Sequence, residues 1–175
     1  VYEGHGIQPD VKIEPEMLST VTAHLYAQNI IFKYANKFYR EHKTIAPPEE
    51  FEITDEIYND FVNFVEEQDF SYTSESEKDF EELIKTAKLE GYYDNIKEQL
   101  DVLEKELRSH KDNDLINNKE EISEILKMEI VGRYYFQKGK IISSLKDDPE
   151  LNRAVEILLD SNGDNEYENI LKGVN

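Results

Sequence analysis

Apolar side chains recur at helical spacing along most of this chain, and that period limits the possible folds more than any other feature of the sequence. The apolar residues of the first pattern are Leu18, Val21, Leu25, Ile31, Phe32, Tyr34, Ala35, Phe38 and Tyr39. They predict one long helix from about Met17 to His42. Because they occupy two of its sides, we expect this helix to be central. Pro47 and Pro48 follow it, and a proline cannot continue a helix.

Capping residues predict where the next helices begin and end. Thr54 is placed as an N-cap before a helix whose first turn carries two acidic residues. Ser74 and Glu77 form a capping-box pattern, in which each side chain can satisfy a backbone amide at the start of a helix. Gly91 suits the end of that helix, because glycine readily adopts the left-handed conformation found there. Two helices are therefore predicted between Thr54 and Gly91.

The second half of the chain predicts further helices. Leucine and isoleucine at spacings of four, three and four from Ile96 to Leu107 indicate an amphipathic helix. The polar stretch Ser109–Asn118 predicts a turn, after which an antiparallel return helix runs from about Lys119 toward Ser144. Gly132 and Gly139 inside the return helix cost about 1 kcal/mol each relative to alanine. We expect close packing of another helix against them to compensate.

Two short helices complete the prediction. Asp148 and Pro149 predict a helix start, because aspartate is a good N-cap and proline suits the first helical position. A last helix is expected from Tyr167 to Leu171. The sequence therefore predicts an all-α fold, an irregular bundle of about five to seven helices over residues 17–175.

The charge of the chain limits its partners. Its 175 residues include 39 acidic and 20 basic side chains, a formal net charge of −19 that repels nucleic acids and anionic lipid surfaces. Residues 47–90 hold 15 acidic residues and 3 lysines, a net charge of −12. A solvated helical face explains that segment, and a docking surface for a basic partner is the alternative. Because of its net charge, we expect no nucleic-acid partner for the chain. No stretch approaches the ~18 apolar residues that span a bilayer, so we also expect no transmembrane segment.

The sequence offers few groups for catalysis or metal binding. Cysteine is absent, and the four histidines are His5, His24, His42 and His110. None has a second ligand at zinc spacing, which favours exposed or capping roles. The stretch 160–165 has some likeness to a calcium loop, but its sixth position is Asn165 rather than glycine. We assign no catalytic, cofactor-binding or metal-binding residue to this chain and expect no cofactor.

The densest aromatic and basic cluster is Arg133-Tyr134-Tyr135-Phe136-Gln137-Lys138-Gly139. Its simpler interpretation is an aromatic seam of the core with cations that extend to the surface. The alternative is a docking patch for another domain.

The opening run, Val1–Val11, differs from everything that follows it. Gly4 and Gly6 allow close backbone packing, and Pro9 ends a strand by removing a hydrogen-bond donor. We therefore interpret residues 1–16 as the last strand and exit of an upstream domain, a short orphan strand before the helices.

This opening run resembles the closing segment of the catalytic domain of carboxy-terminal processing peptidases, the S41 serine peptidases. The matching residues are Gly4, Gly6, Ile7, Pro9 and Asp10. Glu3 and His5 depart from that pattern, because the family usually has glycine at these two positions. Three segments further on look like the helical tails of S41 peptidases from Bacteroides-like bacteria. These are Phe51–Glu56, Tyr72–Glu77 and Glu129–Gly139.

The resemblance implies a parent enzyme that cleaves peptide bonds near protein C-termini with a serine nucleophile and a lysine general base. It also implies export to the periplasm or cell envelope and, often, a PDZ domain. In that family both catalytic residues precede the Gly6-Ile7 strand, so neither matches a position here, and Lys12 and Ser19 are not assigned to them. We expect this chain alone not to hydrolyse peptides.

The helical domain is then expected to pack on, gate or oligomerise the catalytic domain of its parent. Its expected partners are that upstream peptidase domain, a second copy by self-association, and the protein or peptide substrates of the parent. The alternative is a free-standing acidic helical interaction module with no enzyme attached. An orphan strand predicts poor order over Val1–Ile13 in the isolated chain, whereas a complete module would fix that segment.

Overall fold

The computed structural model describes residues 9–14, 17–159, 163 and 165–173. Helices form the regular structure of these residues, and no strand occurs among them. In chain order the helices are α1 (Thr20–Ala27), α2 (Ile30–Glu41), α3 (Asp55–Glu67), α4 (Glu75–Glu90), α5 (Tyr93–Asp112), α6 (Asp114–Asn117), α7 (Lys119–Ser144), α8 (Pro149–Leu158) and α9 (Glu166–Lys172). The all-α class is confirmed. The predicted strand falls mainly on residues 1–8, which lie outside the described residues.

The long first helix predicted from the apolar pattern is wrong in one respect, because two helices replace it. Asn29 between α1 and α2 has φ 59° and ψ 25°, the left-handed conformation. Asparagine tolerates this conformation better than most residues, and it ends the helical hydrogen-bond pattern. The apolar residues continue on both sides of Asn29, so the pattern alone does not reveal the break. The described helices number nine because of this break and because the single turn α6 lies in the predicted polar turn.

Helix α2 is central, as predicted, and packs against α1, α3 and α7. Tyr34 on α2 is fully buried, and its ring meets the ring of Phe61 edge-on at a centroid distance of 5.2 Å. Its hydroxyl donates to the carbonyl oxygen of Ile57 at 3.1 Å and to Oδ2 of Asp60 at 2.9 Å. Burial and the Asp60 carboxylate together raise the pKa of Tyr34 well above its usual value. The core is therefore aromatic at its centre, with its buried hydroxyl satisfied.

Helices α4 and α5 form a separate hairpin. The predicted capping box is present, since Ser74 and Glu77 each bond the other's backbone amide, and Gly91 ends α4 at φ 82°. Phe80 and Leu100 are buried in this hairpin and lie outside the core cluster. At its open end, Nζ of Lys111 lies 2.8 Å from the Glu77 carboxylate. The hairpin is thus closed by its own contacts.

Helices α8 and α9 form the C-terminal hairpin. Asp148 caps α8 as predicted, accepting a bond of 2.9 Å from the amide of Leu151, and Pro149 is the first helical residue. Arg153 of α8 forms an ion pair with Glu166 of α9. Ile157 is buried, whereas none of the residues of α9, all of which are described, is buried. None of the described helices combines the length and apolar content that a membrane span needs.

Candidate interaction surfaces

Two of the described histidines, His24 and His42, form hydrogen bonds to backbone carbonyl groups of helices. Nδ1 of His24 bonds the carbonyl oxygen of Thr20 at 2.8 Å, and Nδ1 of His42 bonds that of Phe38 at 3.0 Å. The His42 ring also stacks on Phe38 at a centroid distance of 4.0 Å. His110 is exposed near the end of α5, and His5 lies outside the described residues. The capping role predicted for histidine is found at His42 and the exposed role at His110.

Among the described residues, no group of three or more histidine, aspartate or glutamate side chains is placed to hold a metal. The calcium-like stretch 160–165 lies mostly outside the described residues.

Ser19 connects α1 to α7, a role that was not predicted from the sequence. Its backbone amide donates to both carboxylate oxygens of Glu121, at 3.0 and 3.1 Å, and its hydroxyl donates to the same carboxylate at 2.8 Å. The hydroxyl also accepts a long bond of 3.4 Å from the amide of Thr22 as the N-cap of α1. This residue joins two helices that are distant in the sequence, which capping patterns do not reveal.

The cluster Arg133–Gly139 first serves to hold α7 on α2. Nε of Arg133 donates to Oδ1 of Asn36 at 2.8 Å, and its guanidinium lies 4.5 Å from the ring centroid of Phe32. The Tyr134 ring meets the Tyr39 ring edge-on at 4.9 Å. These contacts support the interpretation of the cluster as a seam of the core, not as a free docking patch.

The hydroxyl groups of the same cluster reach the loop after α2. Tyr134 donates to the carbonyl oxygen of His42 at 2.7 Å, and Tyr135 donates to that of Ile45 at 3.3 Å. The two tyrosines therefore satisfy loop carbonyl groups that follow the end of a helix.

Helix α7 reverses direction within this cluster. Phe136 has φ 57° and ψ −156°, a non-helical conformation inside the range Lys119–Ser144. A Cβ atom at Gly139 would lie 2.3 Å from Cβ of Tyr135, and one at Gly132 would lie 2.2 Å from Cε of Lys140. The expected close packing against both glycines is confirmed. Each glycine packs against the other arm of α7, which is folded back at Phe136, instead of against another helix.

Glu129 sits between two cations inside this fold-back. Its carboxylate lies 3.0 Å from Nη1 of Arg133 and forms a second ion pair with Lys140. Burial opposes ionisation of Glu129, but the bonds and charges of Lys140 and Arg133 outweigh it and hold the pKa of Glu129 below its usual value. Phe136, at the tip of the fold-back, is 76% exposed. Glu129 is thus engaged by both cations, and the exposed part of the cluster consists of Phe136, Gln137 and Lys138.

A second surface lies where the first described residues meet the C-terminal hairpin. Residues 9–14 and helices α8 and α9 border a groove of about 710 Å³, which we call the terminal groove. Its apolar lining residues are Val11, Ile13, Ala154, Ile157, Leu158, Tyr167 and Ile170. Val11 and Ile13 are half-buried, and the residues on either side of them are exposed. The segment 9–14 therefore presents alternate apolar side chains to this site.

Helix α8 carries a row of exposed apolar residues next to the terminal groove. We call it the α8 apolar face, and its members are Leu151, Val155, Leu158 and Leu159. Their spacing of i, i+4, i+7 and i+8 places them on one side of the helix. Leu158 is 65% exposed and Leu159 is 72% exposed. Sequence spacing groups these residues on one side of the helix, but it does not show that this side is uncovered.

The chain is similar to a known family of protein domains. A family model described as "Probable PDZ-protease, C-terminal helical domain" matches residues 21–158. The matched segment extends from the second residue of α1 to the last residue of α8. A search of curated proteins gave no match, and neither did a search of solved structures.

Proposed function

We infer the function from one premise: this chain belongs to the family of C-terminal helical domains of probable PDZ-proteases. We propose that its parent is an S41-type carboxy-terminal processing serine peptidase. The match over residues 21–158 carries the protease part of this proposal. The likeness of Gly4, Gly6, Ile7, Pro9 and Asp10 to the closing segment of an S41 catalytic domain supports the finer assignment.

The proposed role of the helical domain is non-catalytic. The match to a C-terminal helical domain supports this role. Ser19 and Glu129 make structural contacts, Ser19 with Glu121 and Glu129 with Arg133 and Lys140. In this proposal the serine nucleophile and the lysine base lie in the peptidase domain upstream. The helical domain packs on that domain and gates or oligomerises it, and the parent acts on protein or peptide substrates in the periplasm or cell envelope.

The test begins with the genomic DNA upstream of the codon for Val1. We expect an open reading frame that encodes a serine and, further on, a lysine before the Gly6-Ile7 strand. The complete protein should cleave peptides, substitution of that serine by alanine should abolish cleavage, and the 175-residue chain should have no activity. Cell fractionation of the complete protein then tests the compartment.

Two results would overturn this function. A start codon or a stop codon directly upstream would favour the free-standing acidic interaction module. Peptide hydrolysis by the 175-residue chain, abolished by a substitution within it, would contradict the non-catalytic role.

A further inference from the structure

The C-terminal hairpin has more exposed apolar surface than its own packing accounts for. Ile157 is the buried residue of α8, while Leu158 and Leu159 are largely exposed. On α9, Leu171 is 70% exposed. Exposed apolar residues are ordinary when they occur singly, but a row along one side of a helix next to an apolar groove indicates an interaction site.

The hairpin is nevertheless well formed locally. Asp148 caps α8, and Arg153 pairs with both Glu156 and Glu166, which ties α8 to α9. A helix as short as α8 is marginal by itself, and most helical stability comes from packing of the apolar side. The local contacts therefore hold the hairpin together while its apolar face stays exposed.

The course of the chain indicates which partner covers this face. Residues 9–14 border the terminal groove, so the polypeptide that precedes residue 9 arrives at this site. Residues 1–8 can span at most about 29 Å when fully extended. A domain that ends in those residues is held within that distance of α8 and α9. So short a tether gives an effective concentration on the order of millimolar, and a modest apolar contact is then sufficient for docking.

The charge of the chain argues against a second copy as the partner. Each copy carries a formal net charge of −19, so two copies repel one another. The tethered domain does not have to overcome the entropy of bimolecular association, whereas a second copy does.

We propose that the terminal groove, the α8 apolar face and Leu171, which follows the groove residue Ile170 on α9, form the docking surface for the peptidase domain that precedes them in the same polypeptide. This inference rests on the proposed function and adds the site of contact. In this arrangement, Leu158 and Leu171 are covered in the complete protein, and the segment 9–14 is the connection that places the peptidase domain over them.

The test uses the complete protein and lysine-reactive cross-linking analysed by mass spectrometry. The reporter is Lys172 on α9, whose side chain is 62% exposed. We expect cross-links from Lys172 to the upstream domain, and we expect Leu158→Asp with Leu171→Asp to reduce them about tenfold, because an unpaired carboxylate opposes burial against an apolar surface. Leu158→Met with Leu171→Met should retain them.

The matched control is Leu89→Asp on α4, which introduces the same charge at another exposed leucine. It should leave the Lys172 cross-links unchanged. Hydrogen exchange of residues 122–131 should be the same in all variants, which verifies that the core is folded. Sedimentation of the complete protein and of the 175-residue chain, each at two concentrations, tests for self-association.

Several outcomes would overturn the inference. Lys172 cross-links that persist in the double aspartate variant would show that tethering alone produces them. A dimer that the aspartate substitutions dissociate would assign the surface to a second copy. Either result leaves the proposed function in place, whereas the lack of a peptidase domain in the upstream reading frame removes the proposed function itself.

Discussion

The core and the C-terminal hairpin use the same local signals for helix formation but differ in what covers their apolar sides. In the core, Tyr34, Phe61 and Leu126 are fully buried among α1, α2, α3 and α7. In the hairpin, α8 is capped as well as any core helix, yet Leu158 is mostly exposed. Capping and period decide whether a helix forms, but they do not decide whether its partner lies within the same domain.

The α4–α5 hairpin is an instructive intermediate. It lies outside the core cluster, yet it buries Phe80, Ala87 and Leu100 between its own helices and is closed by the Lys111–Glu77 ion pair. A helical hairpin can therefore be satisfied by itself in this fold. The uncovered face of α8 is a property of that hairpin and not of hairpins at the periphery in general.

The largest expected effect compares one deletion in each region. Phe61→Ala should lower the free energy of unfolding by about 3–5 kcal/mol, because it removes a fully buried ring. Leu158→Ala in the same 175-residue chain should change it by less than about 0.5 kcal/mol. Urea unfolding followed by circular dichroism measures both. Equal losses would mean that the hairpin is packed like the core.

A second comparison concerns the two glycines of the fold-back. Gly139→Ala should destabilise the chain by about 1–3 kcal/mol, because the new Cβ meets Tyr135 close to the backbone. Gly132→Ala meets the flexible end of Lys140, which can move, so we expect a change of less than about 1 kcal/mol. The same urea experiment applies. If both substitutions stabilised the chain equally, α7 would be a straight helix.

A third prediction concerns acid stability. The pKa of Glu129 is below its usual value in the folded chain, so its contribution is complete above the unfolded-state pKa and is lost as the pH falls through the folded-state pKa. Glu129→Gln should therefore cost about 1–3 kcal/mol near neutral pH, and the difference from the parent chain should shrink in acid. Glu106→Gln, at an exposed position, is the matched control. A difference that stays constant with pH would contradict the role of the Glu129 ion pairs.

The smallest effect has the opposite sign. Phe136 has a backbone conformation that glycine adopts at little cost, and its side chain is largely exposed. Phe136→Gly should raise the free energy of unfolding by up to about 1 kcal/mol, whereas Phe136→Ala keeps the unfavourable φ and should not. Thermal melts of the two variants give the comparison. A glycine variant less stable than the alanine variant would show that the backbone at Phe136 is unstrained.

Much of the fold could be predicted from the sequence because its signals are local. The structure has the predicted N-caps at Thr54, Ser74 and Asp148 and the predicted helix end at Gly91. The reversal at Phe136 was not predictable in this way, because phenylalanine disfavours positive φ and only tertiary packing imposes it.

The interaction surfaces were less accessible to sequence reasoning. Residues Arg133–Gly139 were the most conspicuous cluster, but Asn36, Phe32 and Tyr39 on α2 contact its first two residues, Arg133 and Tyr134. The terminal groove lies between residues 9–14 and helices α8 and α9, which are distant in the sequence. No short sequence motif predicts that these segments lie together.

The most direct test of the contrast between the two regions is hydrogen exchange, measured on the 175-residue chain and on the complete protein under the same conditions. In the 175-residue chain we expect the amides of α8 to exchange much faster than those of residues 122–131. In the complete protein, α8 should become markedly slower while residues 122–131 change little. If α8 exchanged as slowly as residues 122–131 in the monomeric 175-residue chain, or equally fast in both proteins, the account of α8 as a face completed by the preceding domain would be contradicted.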